Sequence, residues 1–298
     1  MAKIGIIGKG FVGSAVYNGF DVPENELLVC DTKIQGTLSI KEIMVKSPEF
    51  VFVCVPTPIK KIVKIDGSNK DEFGQVDTTY VSEVLADISK YTGPNRNPIV
   101  IVKSTITPDY WQHIPKNLDV VYNPELLRET NGDYDFCNPP CVVLGGDHSW
   151  CMLVESLYKT HSKVHMLCPY IYTTRELASM FKYTINSWLA TKVSFFNQLY
   201  ALMTEMGMNQ AWEHFTSMIS ADPRIGFSHM QVPGPDGNFG FGGSCFVKDI
   251  NALIYQAKQL GVDPKVMLGA WTKNLEVRPQ RDWEKLKGRA VSTLEKEE

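Results

Sequence analysis

A glycine-rich run near the start of the chain places the strongest constraint on its fold. The run follows the apolar segment Lys3–Ile7 and consists of Gly8, Lys9, Gly10, Phe11, Val12 and Gly13. A strand that enters a G-x-G-x-x-G turn and leaves it as a helix is the context in which this pattern binds a dinucleotide. Gly8 permits the tight turn, Gly10 lets the backbone approach a pyrophosphate, and Gly13 allows helix and strand to pack closely. The helix N-terminus offers N–H donors and a partial positive charge to the phosphates.

Asp31 indicates which dinucleotide is bound. It follows the next apolar run, Leu27–Cys30. A carboxylate at this position accepts hydrogen bonds from the adenosine ribose and repels a 2′-phosphate, which predicts NAD as the cofactor. The nearby Lys33 leaves NADP open, and the alternative role of Asp31 is that of a turn residue at the end of a strand.

The spacing of apolar residues predicts two different architectures along the chain. Up to about residue 170, short apolar runs alternate with amphipathic ones, as in a parallel sheet covered by helices. The predicted strands are Lys3–Ile7, Leu27–Cys30, Phe50–Val55, Ile99–Lys103, Asp119–Tyr122, Cys141–Leu144 and Val164–Leu167. The predicted helices are Val76–Lys90 with Asp77 as N-cap, Arg175–Met206, Asn209–Ser220, Asp249–Leu260 and Pro264–Val277.

This pattern predicts an α/β fold with two domains. We expect a Rossmann-type doubly wound parallel sheet over residues 1–170, holding NAD. A helical domain with a long central helix is expected over residues 171–298, because helical spacing continues from Arg175 without Pro or Gly until Gly207.

Composition and charge exclude several classes of protein. The 298 residues are 44% hydrophobic and 21% charged, with a formal net charge of −3, which argues against a nucleic-acid surface. No apolar run reaches the roughly 18 residues of a membrane span, and the glycine-rich turn follows the N-terminus too closely for a signal peptide. Seven scattered cysteines fit a reducing, cytoplasmic compartment. Cys137 and Cys141 lack a second pair with ligand spacing, so no metal site is expected.

Two further segments carry residues suited to chemistry. Lys182 and Asn186 are four residues apart and should project from one face of the long helix, bordering a polar pocket; the alternative is a lysine that reaches water beside an exposed asparagine. Cys245 follows a loop of glycines. A helix that begins near Phe246 would place this cysteine at a positive terminus, which favours the nucleophilic thiolate; the alternative is a buried, inert thiol.

Together these segments resemble the UDP-glucose/GDP-mannose dehydrogenase family. Its motifs are matched, in order, by Gly8–Gly13, Val55–Pro58, Lys103–Thr105, Asn123–Glu129, Lys182 with Asn186, Arg224, and Gly240–Asp249. The resemblance spans nearly the whole chain, and the run Gly240–Phe246 is highly specific. It implies an NAD-dependent four-electron oxidation of a nucleotide sugar, with UDP-glucose to UDP-glucuronate preferred, as in polysaccharide biosynthesis.

The resemblance also implies the course of the reaction. Lys182 and Asn186 would bind the sugar C6 oxygen and stabilise the negative charge that develops there. Cys245 would capture the aldehyde as a thiohemiacetal. A second hydride transfer would give a thioester, which water hydrolyses with Glu125 as base. Asp249 would position Lys182 or an ordered water.

Other residues are implied as ligand contacts. Thr105 would help to hold the ordered water, Glu129 would lie near the nicotinamide ribose, and Arg224 would reach into a neighbouring subunit, which implies a homodimer. The implied cofactor contacts include Pro56, Thr57, Ser104, Thr105, Glu129 and Lys248. The implied substrate contacts are Glu125, Leu126, Leu127, Lys182, Asn186, Arg224, Phe241 and Gly242.

Two departures from the family pattern leave alternatives open. Family members usually continue into a third, nucleotide-binding domain, which we expect to be missing, and Val247 replaces a common proline. Nucleotide binding could then be weak, supplied by a full-length family subunit, or replaced by binding of a smaller substrate. One alternative function is a two-electron 3-hydroxyacid-type dehydrogenase, which does not need Cys245. Another is a truncated, non-catalytic paralogue that binds NAD or a full-length partner.

Overall fold

The structure, a computed structural model, describes residues 1–60, 74–93, 97–128 and 130–293. The chain divides into two units: Met1–Thr57 with Thr78–Lys182, and Pro58–Asp77 with Tyr183–Glu298. Each unit has hydrophobic clusters of its own. The assignment of cofactor binding to residues 1–170 and of the catalytic cysteine to a domain over 171–298 stays a prediction.

A seven-stranded sheet forms the first unit. Its strands are β1 (Ala2–Ile7), β2 (Asn25–Cys30), β3 (Phe50–Val53), β4 (Ile99–Val102), β5 (Asp119–Tyr122), β6 (Val142–Gly145) and β7 (Tyr170–Thr173). They lie in the order β2-β1-β3-β4-β5-β6-β7. All neighbours are parallel except β5 and β6, which pair antiparallel at Tyr122 and Gly145. The predicted Rossmann-type α/β fold is confirmed.

The strand order indicates where this sheet binds a ligand. β1 has β2 on one side and β3 on the other, so successive strands are added in opposite directions from this point. Loops that leave the carboxyl ends of β1 and β3 therefore diverge and open a crevice, which is the usual ligand site of such sheets. The glycine-rich turn follows β1 directly.

Helices cover both faces of the sheet. They are α1 (Phe11–Phe20), α2 (Ile40–Val45), α3 (Thr79–Ser89), α4 (Gly132–Cys137) and α5 (His148–His161). Alternate residues of the central strands β3, β4 and β5 enter different clusters: Phe52 packs with Phe20, whereas Val51 and Val53 pack with Leu85 on the other face. Burial on both faces explains why the strands appear in the sequence as continuous apolar runs.

The seventh predicted strand was placed too early in the chain. The prediction over Val164–Leu167 is wrong, since β7 is Tyr170–Thr173. Met166 and Leu167 are 85% and 84% exposed and lie in a turn. Of the apolar side chains in 164–167, only that of Val164 is buried. The aromatic and β-branched side chains of β7 suit a pleated strand better.

The long helix α6 (Arg175–Glu205) confirms the predicted central helix. The second unit adds α7 (Trp212–Ser220), α8 (Cys245–Gln259) and α9 (Lys265–Val277). In this unit Phe196 and Met203 of α6 pack on Trp212, while Ala190 packs in a second cluster with Trp271. α8 begins at Cys245, next to the helix start predicted near Phe246 and four residues before the predicted run Asp249–Leu260. None of the helices in the described residues has the combination of length and hydropathy that a membrane span requires.

A short segment after β3 belongs to the second unit. Ile59 donates its N–H to the Ala290 carbonyl at 2.9 Å and accepts from the Ser292 N–H at 2.7 Å. The Ser292 hydroxyl also donates to the Asp77 carboxylate at 2.6 Å. The prediction that Asp77 caps α3 is wrong, because Thr78 is the N-cap and makes no side-chain cap bond. The Asp77 carboxylate instead serves a contact that is distant in sequence.

Candidate active site

The glycine-rich turn lies between β1 and α1. Gly8 has φ +87°, a region that favours glycine, and its N–H donates to the Cys30 carbonyl at 2.8 Å. A Cβ at Gly8 would lie 3.0 Å from the Cys54 carbonyl, at the end of β3. At Gly13 a Cβ would overlap the carbonyl oxygen of Gly8. Both glycines are therefore required by the protein's own packing.

Space for a ligand remains at Gly10. A Cβ built there would meet no atom of the described residues within 4 Å. Gly10 is the N-cap of α1, and Phe11 and Val12 begin its first turn. In the part of the chain that the structure covers, no side chain caps this helix start, and its first turn has no acidic residue. Its free N–H groups fit a pyrophosphate.

Asp31 is held beside this turn. Its Oδ2 accepts from the Lys9 N–H at 2.6 Å, and its Oδ1 accepts from the Lys33 N–H at 2.8 Å. A carboxylate offers about four lone-pair positions, so acceptors remain for ribose hydroxyls. The position fits the predicted contact with the adenosine ribose.

The loops after β3 and β4 are tied to each other. Pro56 is exposed and Thr57 is buried, while Ser104 and Thr105 are both buried after β4. The Ser104 hydroxyl donates to the Val55 carbonyl at 2.6 Å. These loops leave the carboxyl ends of neighbouring strands, where a cofactor is expected. The individual contacts to NAD stay predictions.

A buried ion pair joins the segment after β5 to α6. The Lys182 Nζ lies 2.8 Å from the Glu125 Oε1, and the Leu127 N–H donates to the Oε2 at 2.7 Å. Burial raises the pKa of the Glu125 carboxyl. The charge and hydrogen bond of Lys182 and the Leu127 N–H outweigh burial, so the pKa lies below its ordinary value. Glu125 is therefore a carboxylate at neutral pH and can accept a proton.

A second buried lysine lies behind this pair. The Lys103 Nζ donates to the side-chain oxygen of Asn123 at 2.9 Å and to its carbonyl at 3.3 Å, and the Tyr158 hydroxyl donates to the same side-chain oxygen at 2.7 Å. Burial lowers the pKa of Lys103 to about 8, and the nearby charge of Lys182 adds to this effect. The charge of Lys103 in turn helps to lower the pKa of Glu125. Lys103 has no predicted role from the sequence beyond its place in a matched motif.

The remainder of the loop after β5 is fixed by a different pair. The Arg128 N–H donates to Asp135 at 2.8 Å, and its guanidinium binds the same carboxylate at 2.6 Å. Leu126 and Leu127 are half-buried. Glu129, predicted near the nicotinamide ribose, lies outside the described residues.

The second unit brings three of the predicted polar residues together. The Asn186 amide donates to the Asp249 Oδ2 at 2.5 Å, and the Lys248 ammonium forms an ion pair with the Oδ1. All three side chains are buried, and Asp249 is fully enclosed. A buried carboxylate needs such partners, because an unpaired one is strongly unfavourable. Asp249 therefore orients the Asn186 amide on α6.

Cys245 is the first residue of α8. It is half-buried, and its sulfur lies 3.8 Å from the Ser244 hydroxyl. The first turn of α8 has no acidic residue. The positive end of a helix favours a thiolate, so the position suits a nucleophile. All seven cysteines lie in the described residues, and none of them forms a disulfide there.

Arg224 lies on an exposed loop after α7. Its Nε donates to the Asp222 carboxylate at 2.9 Å. The loop is anchored by Lys192 of α6, whose ammonium donates to the carbonyls of Ile225 at 2.9 Å and Gly226 at 3.2 Å. Anchoring by a buried lysine fixes the loop while the Arg224 side chain stays at the surface. Sequence reasoning missed Lys192.

Comparison with known proteins identifies the family. The family model "UDP-glucose/GDP-mannose dehydrogenase family, NAD binding domain" matches residues 31–162, and the model of the central domain matches residues 176–276. A Bacillus subtilis protein, YtcA, is 30% identical over 98% of this chain and 73% of its own length. The chain belongs to the UDP-glucose/GDP-mannose dehydrogenase family.

Other relatives fit the same family. GDP-mannose 6-dehydrogenase of Pseudomonas aeruginosa is 32% identical over 80% of this chain and 53% of its own length. UDP-glucose 6-dehydrogenase TuaD of Bacillus subtilis is 29% identical over 90% of this chain and 61% of its own length. The chain thus spans between 53% and 73% of these three relatives. A UDP-glucose dehydrogenase structure from Pyrobaculum islandicum shares the fold, with TM-score 0.75 and 23% identity over 94% of this chain and 69% of that chain.

The match to the NAD-binding domain model confirms NAD as the predicted cofactor, and the family to which the chain belongs is one of NAD-dependent nucleotide-sugar dehydrogenases. The NAD-binding match begins at Asp31, and the glycine-rich run precedes it. The central-domain match contains Lys182, Asn186, Cys245 and Asp249.

Substitution should separate the roles of Gly10 and Gly13. Gly13→Ala forces a Cβ onto the Gly8 carbonyl, so we expect weaker NAD binding and a lower melting temperature. Gly10→Ala has room in the protein but obstructs a pyrophosphate. For this variant we expect at least about tenfold weaker NAD binding and a melting temperature within about 3 °C of wild type. Calorimetric titration measures NAD binding by both variants, and thermal unfolding without NAD measures their melting temperatures. An equal drop in melting temperature for Gly10→Ala and Gly13→Ala would contradict this assignment.

Lys103 should give the protein a measurable alkaline pH dependence. Its folded pKa is about 8, whereas a lysine in an unfolded chain titrates near about 10.4. Between these values the unfolded chain binds more protons, so the free energy of unfolding rises with pH. Relative to Lys103→Met, wild type should gain about 2–3 kcal/mol between about pH 7.5 and 10.5. Urea denaturation measures this difference, with the exposed Lys116→Met as control; parallel pH curves for wild type and Lys103→Met would refute it.

Proposed function

We propose that this chain is an NAD-dependent nucleotide-sugar 6-dehydrogenase that oxidises UDP-glucose to UDP-glucuronate. The observation that carries the proposal is Cys245 at the first position of α8, in the same unit as the pair of Asn186 and Asp249. A simple alcohol dehydrogenase needs no nucleophilic thiol, whereas oxidation to a carboxylate gains from covalent capture of the aldehyde. The similarity to TuaD, a UDP-glucose 6-dehydrogenase, supports this substrate.

The first oxidation depends on groups that hold the C6 oxygen. NAD, when bound, accepts the hydride from C6. Lys182, an ammonium donor held by Glu125, and Asn186, an amide donor held by Asp249, stabilise the negative charge that develops on oxygen. Because both donors are fixed before substrate arrives, little reorganisation is needed during the reaction.

The second oxidation proceeds through Cys245. Its thiolate adds to the aldehyde carbon and forms a thiohemiacetal, which loses a second hydride to a second NAD and becomes a thioester. Water then attacks the thioester while Glu125 accepts its proton. The carbon–sulfur bond breaks, the carboxylate leaves and the thiolate is restored. The lowered pKa of Glu125 keeps it ionised for this step.

A homodimer is part of the proposal. Trp188, Phe195 and Leu202 recur every seven residues along α6 and are 60%, 55% and 55% exposed. Seven residues are close to two helical turns, so these side chains form one apolar stripe. A second copy of the chain would cover the stripe, and the exposed Arg224 would reach that copy. The lack of disulfides among the seven cysteines of the described residues supports a reducing, cytoplasmic location.

Charge on the stripe should dissociate the dimer. We expect wild type to elute as a dimer and Trp188→Glu/Phe195→Glu as a monomer, because two pairs of carboxylates would face each other across the contact. Size-exclusion chromatography with light scattering measures both masses. Met152→Glu, at an exposed apolar position of α5, is the matched control and should stay dimeric; a monomeric wild type would overturn the proposal.

The stoichiometry of NADH tests the reaction itself. We expect two NADH per UDP-glucose consumed by wild type. Cys245→Ser should abolish turnover or stall it after the first hydride, while Cys137→Ser, at another half-buried thiol, should leave it intact. One NADH per sugar, unchanged in Cys245→Ser, would instead show a two-electron dehydrogenase. NAD binding without NADH formation would show a non-catalytic chain or one that needs a full-length partner.

A further inference from the structure

The loop before Cys245 is bound along its backbone by side chains from other segments. Asn274 of α9 is fully buried, and its Oδ1 accepts from the Phe241 N–H at 2.7 Å while its Nδ2 donates to the Phe241 carbonyl at 3.0 Å. One side chain thus satisfies both backbone groups of the same residue. Buried backbone groups need such partners, so Phe241 has one favoured position against α9.

Neighbouring residues of the loop are held in the same way. The Asn197 Oδ1 on α6 accepts from the Gly240 N–H at 3.0 Å, and its Nδ2 donates to the Val193 carbonyl at 2.9 Å. The second bond fixes the orientation of the Asn197 amide. Gly240 and Phe241 are therefore bound from α6 and α9 respectively.

A buried arginine completes the contacts from the end of α9. The Arg278 Nε donates to Asp282 and its Nη2 to Asp236, each at 2.6 Å, and its Nη1 donates to the Phe239 carbonyl at 3.4 Å. Two carboxylates thus compensate the buried guanidinium. The hydrogen bonds and charges of Asp282 and Asp236 raise the pKa of Arg278, so the guanidinium stays charged. The planar guanidinium cannot be shifted without breaking several charged hydrogen bonds.

The glycines of the loop match these side chains. Gly240 has φ +68°, and a Cβ there would overlap the Asn274 side-chain oxygen. A Cβ at Gly242 would overlap the guanidinium of Arg278. Both positions therefore need glycine because Asn274 of α9 and Arg278, which follows α9, occupy the space, apart from any contact of Gly242 with substrate.

We propose that Asn274 and Arg278 are positioning residues that hold Cys245 at the start of α8. They bind the backbone of Phe239 and Phe241, and only Gly242–Ser244 separate Phe241 from Cys245. Release of the loop would let Cys245 leave the helix terminus that favours its thiolate. The catalytic meaning of this role rests on the proposed function, whereas the effect on the thiol does not.

Asn274→Asp provides a test in which a change of pH should reverse the effect of the substitution. The introduced carboxylate still accepts from the Phe241 N–H but repels the Phe241 carbonyl. When protonated, it donates to that carbonyl and restores the wild-type pair of hydrogen bonds. Burial favours the protonated form, so restoration should occur well above the pH at which an exposed aspartate titrates.

The readout is alkylation of Cys245 by iodoacetamide, measured by mass spectrometry of its peptide, without NAD or UDP-glucose. We expect Asn274→Asp to react at less than about one third of the wild-type rate at about pH 8, and to approach the wild-type rate at about pH 5.5. Asn274→Ala should be slow at both pH values. Asn138→Asp, at an exposed asparagine whose amide donates to the Tyr134 carbonyl, controls for the exchange itself.

Arg278→Lys is the second variant if Asn274→Asp fails to fold, as judged by circular dichroism. It keeps the positive charge but loses the planar group that reaches Phe239, so alkylation should slow without recovery at low pH. The proposal is overturned if a folded variant is alkylated at Cys245 at the wild-type rate at pH 8. It is also overturned if Asn274→Asp is alkylated more slowly than wild type by the same factor at every pH. In turnover, kcat should fall while KM for NAD changes less than about twofold; absence of turnover in wild type would refute only the proposed function.

Discussion

The buried ion pair between Lys182 and Glu125 is the constraint on which the polar part of the first unit depends. Removing one partner of such a pair typically costs about 3–5 kcal/mol, because the remaining charge stays buried. The first turns of α6 must therefore lie at the carboxyl end of β5. Ala178 and Phe181 meet this requirement, since they pack in the same cluster as Tyr122 at the end of β5. Apolar packing and charge pairing thus fix the same position of the first turns of α6 against the end of β5. The charge of Lys103 helps to lower the pKa of Glu125 in this pair.

Much of the fold could be predicted because it is encoded locally. The bounds predicted for β5 coincide with those observed, and α6 differs from its prediction by one residue at its C-terminal end. β7 was misplaced because composition identifies apolar residues but not which of them the rest of the chain covers. Asp77 was misjudged for a related reason: its partner Ser292 is 215 positions away. Local patterns carry no information about such a partner.

The chemical types of the site residues were also predictable, but their partners were not. The spacing of Lys182 and Asn186 indicated one helix face, and the structure gives each a carboxylate partner, 57 and 63 positions away. No charge role is predicted for Lys103 from the sequence, because it ends the predicted apolar strand Ile99–Lys103 and belongs to a matched motif; in the structure it directly follows β4. A lysine in that position is itself a usable signal, since a buried ammonium needs polar partners. Asn274 has no local signal, because its role is defined by the backbone that it binds.

Glycine shows most clearly what a sequence pattern leaves undecided. In both glycine-rich runs, the simplest interpretation is that a missing side chain makes room for a ligand. That holds at Gly10, where the described residues leave open space, but not at Gly13 or Gly242, where the Gly8 carbonyl and the Arg278 guanidinium fill it. The same residue type therefore meets two physical requirements, close approach of a ligand and close approach of the protein. Only the coordinates of the neighbouring atoms distinguish them, and in the loop before Cys245 those atoms belong to α9 and the residue that follows it.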